Sequence, residues 1–225
     1  IRRPPRSRPK PSSAASDVFK RQAIDLLINN AGVVNTEYSE TIDGIENTFA
    51  VNHLGYFLFT NLLLDLVKKE SESRIINVSS AAHHFVKGMQ WDDINYKDDF
   101  KMGLKAYGQS KLGNILFTKQ LAKKLQKDGV TVNAIHPGGV NTSLGNQNNS
   151  LLGRVLKVIL KPFFRSPLKG ANTIIYLAEI DGLSITGAYW VDGRVAKTSH
   201  YSKNEAEAEK LWRLSEKLVN QEFDI

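Results

Sequence analysis

The run Asp25-Leu26-Leu27-Ile28-Asn29-Asn30-Ala31-Gly32 decides the fold. Residues 25–29 are too continuously apolar for a strand with one wet face, so they read as a strand covered on both sides. The chain then breaks into Asn-Asn-Ala-Gly, and Gly32, having no Cβ, lets another group approach the backbone closely. A buried strand that ends in such a turn belongs to an open parallel sheet, whose ligands bind outside the carboxyl ends of the strands.

The same unit recurs downstream. Residues 74–78 form a strand that runs into Ser79 and Ser80, residues 130–135 one that runs into His136-Pro137-Gly138-Gly139, and residues 188–191 a fourth. Three strand ends thus share one edge of the expected sheet. Helical stretches separate them. Residues 42–69 carry Phe49, Leu54, Phe57, Leu58, Leu62 and Leu66 on more than one face, as a helix between a sheet and a neighbour does. Residues 104–127 place Leu112, Ile115, Leu116, Leu121, Ala122 and Leu125 at three-and-four spacing, with Gly129 as a stop. Residues 167–178 precede the last strand. Residues 205–221 close the chain with Ala208, Leu211, Trp212, Leu214, Leu218 and Val219 as an apolar stripe. Short continuous strands alternating with longer helices predict an α/β, doubly wound parallel sheet over residues 23–225.

With 225 residues, 41% of them hydrophobic, the chain can bury a core without cross-links. It has no cysteine, which excludes disulfides, thiolate nucleophiles and cysteine-ligated metals. The formal charge of +7 suggests nucleic acid until it is located. Residues 1–22 hold Arg2, Arg3, Arg6, Arg8, Lys10, Lys20 and Arg21 against Asp17 alone, which places +6 of it there and leaves the rest nearly neutral. A nucleic-acid partner is therefore not expected. The same residues hold four of the seven prolines and no apolar periodicity, the composition of a disordered segment. They read as a basic arm or as a solvated tail. The text from Ser12 to Gln22 also resembles translated library-adaptor sequence, which would make residues 1–22 a non-native scar outside the fold. No run of 18 apolar residues and no signal-peptide pattern occurs, so no membrane span is expected in the chain as written.

Tyr107 and Lys111 stand four apart on the clearest helix, so their side chains lie over one another. An ammonium beside a phenol stabilises the phenolate and brings a group that titrates near 10 toward neutral pH, where it can exchange protons. Such a pair arises often by chance and by itself usually means a helix face with one amphipathic and one solvated residue.

Taken together, five motifs in order resemble the short-chain dehydrogenase/reductase family over residues 24–223. They are Asn29-Asn30-Ala31-Gly32, Asn52 in Val51-Asn52-His53-Leu54-Gly55, Ser79-Ser80, Tyr107-Gly108-Gln109-Ser110-Lys111, and Pro137-Gly138-Gly139-Val140-Asn141-Thr142. The text from Asn77 to His84, the gap from Ser80 to Tyr107 and Glu209-Lys210-Leu211-Trp212 look like its retinol dehydrogenase branch. The resemblance implies a Rossmann-like fold and an oxidoreductase that interconverts an alcohol and an apolar, retinal-like carbonyl, with NADP(H) implied over NAD(H). It makes Tyr107 the acid/base and gives Lys111 two tasks, lowering that tyrosine's pKa and holding the nicotinamide ribose. Ser80, rather than its neighbour Ser79, hydrogen-bonds the substrate oxygen. Asn52 would hold a relay water, or else be a buried helix amide. Pro137, Gly138, Val140 and Thr142 would wrap the nicotinamide end, and Asn29, Ala31 and Gly32 would line the ribose. Members of that branch often carry an N-terminal anchor to the endoplasmic reticulum; without one the cytoplasm is implied.

The family opens with a strand, a TGxxxGIG turn and a helix whose N-terminus receives the pyrophosphate. Residues 1–28 contain no glycine. Roughly 80 residues of that opening have no counterpart, judged by the size of βα units. The expectation is a sheet lacking its first strands and the glycine-rich turn, with one edge of strand 25–29 unpaired and weak or no dinucleotide binding by the chain as written.

Residues 151–164 are apolar apart from Arg154, Lys157 and Lys161, and too short to span a bilayer. A substrate flap, an interfacial helix and an ordinary core helix are open readings. His83 and His84 lack a third ligand at metal spacing and read as loop residues, so no metal is expected. Three other classes compete: an extended-branch epimerase or dehydratase, disfavoured by the short C-terminal region; a fragment or binding protein without catalysis; and a nucleic-acid binder.

Overall fold

The computed structural model describes residues 23–70, 72–138 and 166–225. Residues 1–22, Val140, Thr142 and the segment 151–164 lie outside them, and the expectations made there concern residues outside the described structure.

Four parallel strands, β1 (Leu26–Asn29), β2 (Arg74–Val78), β3 (Thr131–His136) and β4 (Tyr189–Val191), lie side by side in chain order, and β5 (Arg194–Val195) adds antiparallel to β4. β2 occupies the predicted residues. β1 starts one residue late and β3 sits one residue further on than expected. The fifth strand was not anticipated. Its signal is Asp192-Gly193, both at positive φ, the left-handed pair that a two-residue hairpin requires.

Among the described residues β1 pairs only with β2, so its other edge has no strand beside it. Ile28 is correspondingly exposed.

Side-chain alternation sorts the strands onto two layers. Leu27, Ile75 and Val132 point into a core built with Phe57 and Leu64 of α1 (Gly55–Val67), Phe117 and Leu121 of α2 (Leu104–Lys124) and Trp212 of α4 (Glu205–Leu218). Ile76, Val78, Ile135 and Trp190 face the other way, onto Leu177 of α3 (Pro167–Glu179). Helices on both faces of a parallel sheet make the doubly wound α/β fold.

The stretch predicted as one helix over 42–69 is three pieces. Residues 41–46 form a turn, and the buried carboxylate of Glu46 accepts the N–H groups of Thr48 and Phe49, so the helix starts only at Asn47. A single α turn, Asn47–Phe49, leads into a π-helical turn, Ala50–Leu54, and then α1. Leu62, expected on an apolar face, is exposed, as is Ile42 at the start of the stretch. By length and composition Asn47–Val67 is apolar enough to cross a membrane, a test that a buried core helix also passes, and about half of its most apolar stretch is buried inside the fold.

Candidate active site

The carboxyl ends of β1, β2 and β3 bring three loops to the N-terminal half of α2. β2 delivers Ser79 and Ser80, which part company at once. Ser79 is buried, takes the Ile135 carbonyl through its backbone N–H and donates its hydroxyl to the Lys111 carbonyl at 2.7 Å. Ser80 is extended, accepts the Ala82 N–H on its Oγ at 3.2 Å and lies near enough to the Tyr107 side chain to favour its phenolate. It caps a 3₁₀ turn, Ala81–Phe85. Pleat explains the split: neighbouring residues at a strand end point to opposite sides.

Lys111 lies one turn beyond Tyr107 and is buried, with Nζ donating to the Val78 carbonyl at 3.1 Å. That ammonium sits between two aromatic rings, 5.6 Å from the Tyr107 centroid and 5.7 Å from that of Tyr56. Burial without a carboxylate partner lowers its pKa to about 8. Burial likewise raises the Tyr107 phenol, and the Ser80 side chain pulls against it. This reverses the expected direction for Tyr107. The physical reason is desolvation, which disfavours the phenolate, while Lys111 aims its N–H at a backbone carbonyl.

Asn52 sits in the π turn, fully buried. Its Oδ1 accepts the Val33 N–H at 2.7 Å, and its Nδ2 donates to the Val33 carbonyl at 2.9 Å and to Ser110 Oγ at 3.1 Å. Gly32 lies between this amide and the lysine. A Cβ there would stand 3.3 Å from Asn52 Oδ1 and 3.6 Å from Lys111 Nζ.

The other proposed contacts divide. Ala31 is exposed and its carbonyl accepts the Tyr56 hydroxyl at 2.7 Å. Asn29 turns inward, its amide donating to Thr60 Oγ1 at 2.7 Å and Asn77 Oδ1 at 2.8 Å. Asn77 then donates to Thr118 and Thr118 to the Asn114 carbonyl, a buried polar chain across the sheet. Both N–H groups of the Asn29 amide are spent within the core, because its position in the pleat faces α1 and α2, which leaves the backbone of Asn29 as the part that could line a ribose. Pro137 and Gly138 are partly exposed at the end of β3, Gly138 at positive φ.

Sequence reading missed two residues. Tyr56 falls four positions after Asn52, a spacing that stacks side chains on one helix face. His83 was read as a loop residue, yet it is buried behind Ser80. No group of three metal-ligating side chains occurs among the described residues.

Comparison with known proteins places the fold and the family. The family model described as "Enoyl-(Acyl carrier protein) reductase" matches residues 12–193, beginning inside the stretch 1–22 that the sequence reading set apart. "Retinol dehydrogenase 14" of Mus musculus is 43% identical over 201 residues, covering 87% of this chain and 59% of its own length. "Retinol dehydrogenase 13" of Homo sapiens is 41% identical over 215 residues, covering 93% and 64%. The chain therefore spans about three fifths of the length of the curated relatives it matches. Among solved structures, an uncharacterised protein from Mycobacterium Paratuberculosis superposes with a TM-score of 0.69 at 30% identity, covering 95% of this chain and 73% of its own. An NADPH-bound carbonyl reductase from chicken fatty liver shares the fold, with a TM-score of 0.56 at 20% identity over 82% of this chain and 69% of its own. The chain belongs to the short-chain dehydrogenase/reductase family.

Proposed function

We propose that the protein is an NAD(P)-dependent oxidoreductase that interconverts an alcohol and a carbonyl on an apolar, retinal-like molecule. The observation that carries this reading is the meeting of Ser80, Tyr107 and Lys111 at the carboxyl ends of the strands, with the backbone of Gly32 left open beside the lysine.

The residues present fit the nicotinamide-ribose end of a dinucleotide. The space at Gly32 is one that a Cβ would begin to fill, and Lys111 spends one N–H on Val78, leaving two for ribose hydroxyls. Ala31, Gly32, Pro137 and Gly138 would supply backbone to that group, and Val140 and Thr142 are proposed with them. When bound, a nicotinamide supplies the hydride.

The chain's own task is to hold and move the proton. Tyr107 donates it to the carbonyl oxygen in reduction and takes it back in oxidation, and the Ser80 hydroxyl hydrogen-bonds the same oxygen as its charge changes. A charged Lys111 stabilises the phenolate that Tyr107 becomes. Asn52 holds the Gly32–Val33 backbone against Lys111. Preference for NADP(H) over NAD(H), and the retinal-like substrate, rest on the resemblance to retinol dehydrogenases.

The test is turnover of retinal and of long-chain aldehydes by the full-length protein with each dinucleotide, beside Tyr107→Phe. Loss of turnover with dinucleotide binding retained supports the reading; a Tyr107→Phe protein that turns over normally overturns it. Should the wild type bind no dinucleotide, the alternative of a non-catalytic protein takes its place.

A further inference from the structure

His83 lies directly behind Ser80 and uses both of its ring nitrogens. Nδ1 is 2.6 Å from the Ser80 carbonyl oxygen and Nε2 is 3.2 Å from the backbone nitrogen of Ser199. An amide N–H can only donate, so Nε2 is the bare acceptor; Nδ1 then carries the proton and donates it to Ser80. The ring is held on its faces as well, with His84 at 4.0 Å and the edge contact of Tyr189 at 5.2 Å between centroids. Burial lowers its pKa to about 4, with His84 and His136 adding to the effect, so the neutral ring persists at physiological pH.

The consequence falls on the Ser80 hydroxyl. The residue is extended, at φ −161° and ψ 157°, with its Oγ taking the Ala82 N–H. One lone pair is therefore committed to the turn, and the hydroxyl is left near the Tyr107 phenol, whose anion it favours. The Ser80 carbonyl is held by the His83 ring and by the His83 backbone N–H at 3.2 Å, and the Ala81 N–H in the same peptide plane donates to His136 Nδ1 at 3.3 Å, so the backbone from which the Ser80 hydroxyl projects is fixed. Ser199, through a 3.2 Å backbone bond to Ser202 in the next turn, ties the assembly to the segment after β5.

We infer that His83, as the Nδ1–H tautomer, is a positioning residue that orients the Ser80 hydroxyl toward Tyr107 and fastens the serine turn to the segment around Ser199. This rests on the oxidoreductase reading above, in which Ser80 meets the substrate oxygen.

Three variants of the full-length protein separate its two contacts. His83→Asn can place an amide nitrogen where Nδ1 stands, His83→Gln reaches the Nε2 position, and His83→Phe keeps only the ring. Turnover number for carbonyl reduction is expected to fall about tenfold or more in the Phe and Gln variants and about threefold or less in Asn, with KM for the dinucleotide unchanged in all three. Asn and Gln falling together in step with their melting temperatures, or all three matching wild type, would overturn the proposal. Nitrogen chemical shifts of the wild-type ring give a readout independent of turnover: a protonated Nδ1 and bare Nε2 are expected, and the opposite tautomer overturns the assignment. A wild type that reduces no carbonyl while showing the expected tautomer overturns the oxidoreductase reading instead, so the two failures are distinguishable.

Discussion

Asn52 holds both the N–H and the carbonyl of Val33 through one side-chain amide, at 2.7 and 2.9 Å. This two-point clamp across 19 residues of chain makes the loop after β1 an extension of the π turn, and it keeps Gly32 against Lys111. A π turn widens the helix by one residue per turn, and such turns recur at functional sites. Asn52→Ala should cost about 2 kcal/mol in denaturant unfolding, because it removes three hydrogen bonds in one deletion. It should also weaken dinucleotide binding more than substrate binding, and unchanged affinity for both would separate the clamp from the ligand site.

Lys111 opposes folding at neutral pH. Its folded pKa of about 8 lies below the ordinary 10.5, so between those values the unfolded chain binds the proton and the folded one does not. Stability from this group is fully present above 10.5 and is lost as pH falls through about 8, leaving a cost at pH 7. Lys111→Met should therefore raise stability at pH 7 by up to about 3 kcal/mol while abolishing turnover. A lower melting temperature for that variant at pH 7 would contradict the assignment.

His53 follows the same sign in a more acidic window. Its Nε2 donates to Ser215, whose hydroxyl donates on to the Leu211 carbonyl, and full burial lowers its pKa to about 4 against a smaller opposing effect of Asn114. The unfolded ring takes up its proton near 6.5, so stability is intact above that pH and declines as pH falls toward 4. In a series of unfolding curves from pH 7 to 4, His53→Leu should show a flatter decline than wild type.

Gly108 touches the turn that carries Ser80. A Cβ there would lie 2.7 Å from the Ala82 carbonyl oxygen and 3.2 Å from the Phe85 Cβ, both held by the 3₁₀ turn. Gly108→Ala should destabilise by about 1–3 kcal/mol through overpacking and lower kcat by moving Ser80 relative to Tyr107. Thermal unfolding and steady-state kinetics on the same preparation check both halves.

Tyr56 reaches Ala31 with its hydroxyl and Lys111 with its ring. Removing the hydroxyl alone, as Tyr56→Phe, should raise KM for the dinucleotide and leave kcat within about threefold, since the cation–π contact persists. Tyr56→Leu removes the ring too and should reduce kcat further.

Much of the fold was legible because its signals are local. β2 and the core of α2 read correctly from continuous apolar runs and three-and-four spacing, which respond to neighbours a few residues away. The helix over 42–69 misled for a local reason as well: Glu46 is a poor cap by frequency, yet burial turns its carboxylate onto two backbone N–H groups. The short β5 was overlooked because two residues show no alternation, although the Asp192-Gly193 turn was in plain text.

The amino-acid order by itself determined the alternation of strands and helices, the Tyr107 and Lys111 pairing on one helix face, and the arrival of serines and glycines at strand ends. Those follow from the pleat and the helical repeat, which act within a few residues. Only the tertiary structure decided that Ser79 serves the Lys111 carbonyl while Ser80 meets Tyr107, that the Asn29 amide turns into the sheet, and that His83 stands between Ser80 and Ser199. Each is a contact between residues some 30 to 116 positions apart, or a choice between two neighbours made by such a contact. Buried polar groups take whichever partners packing leaves within reach, and no local period encodes that.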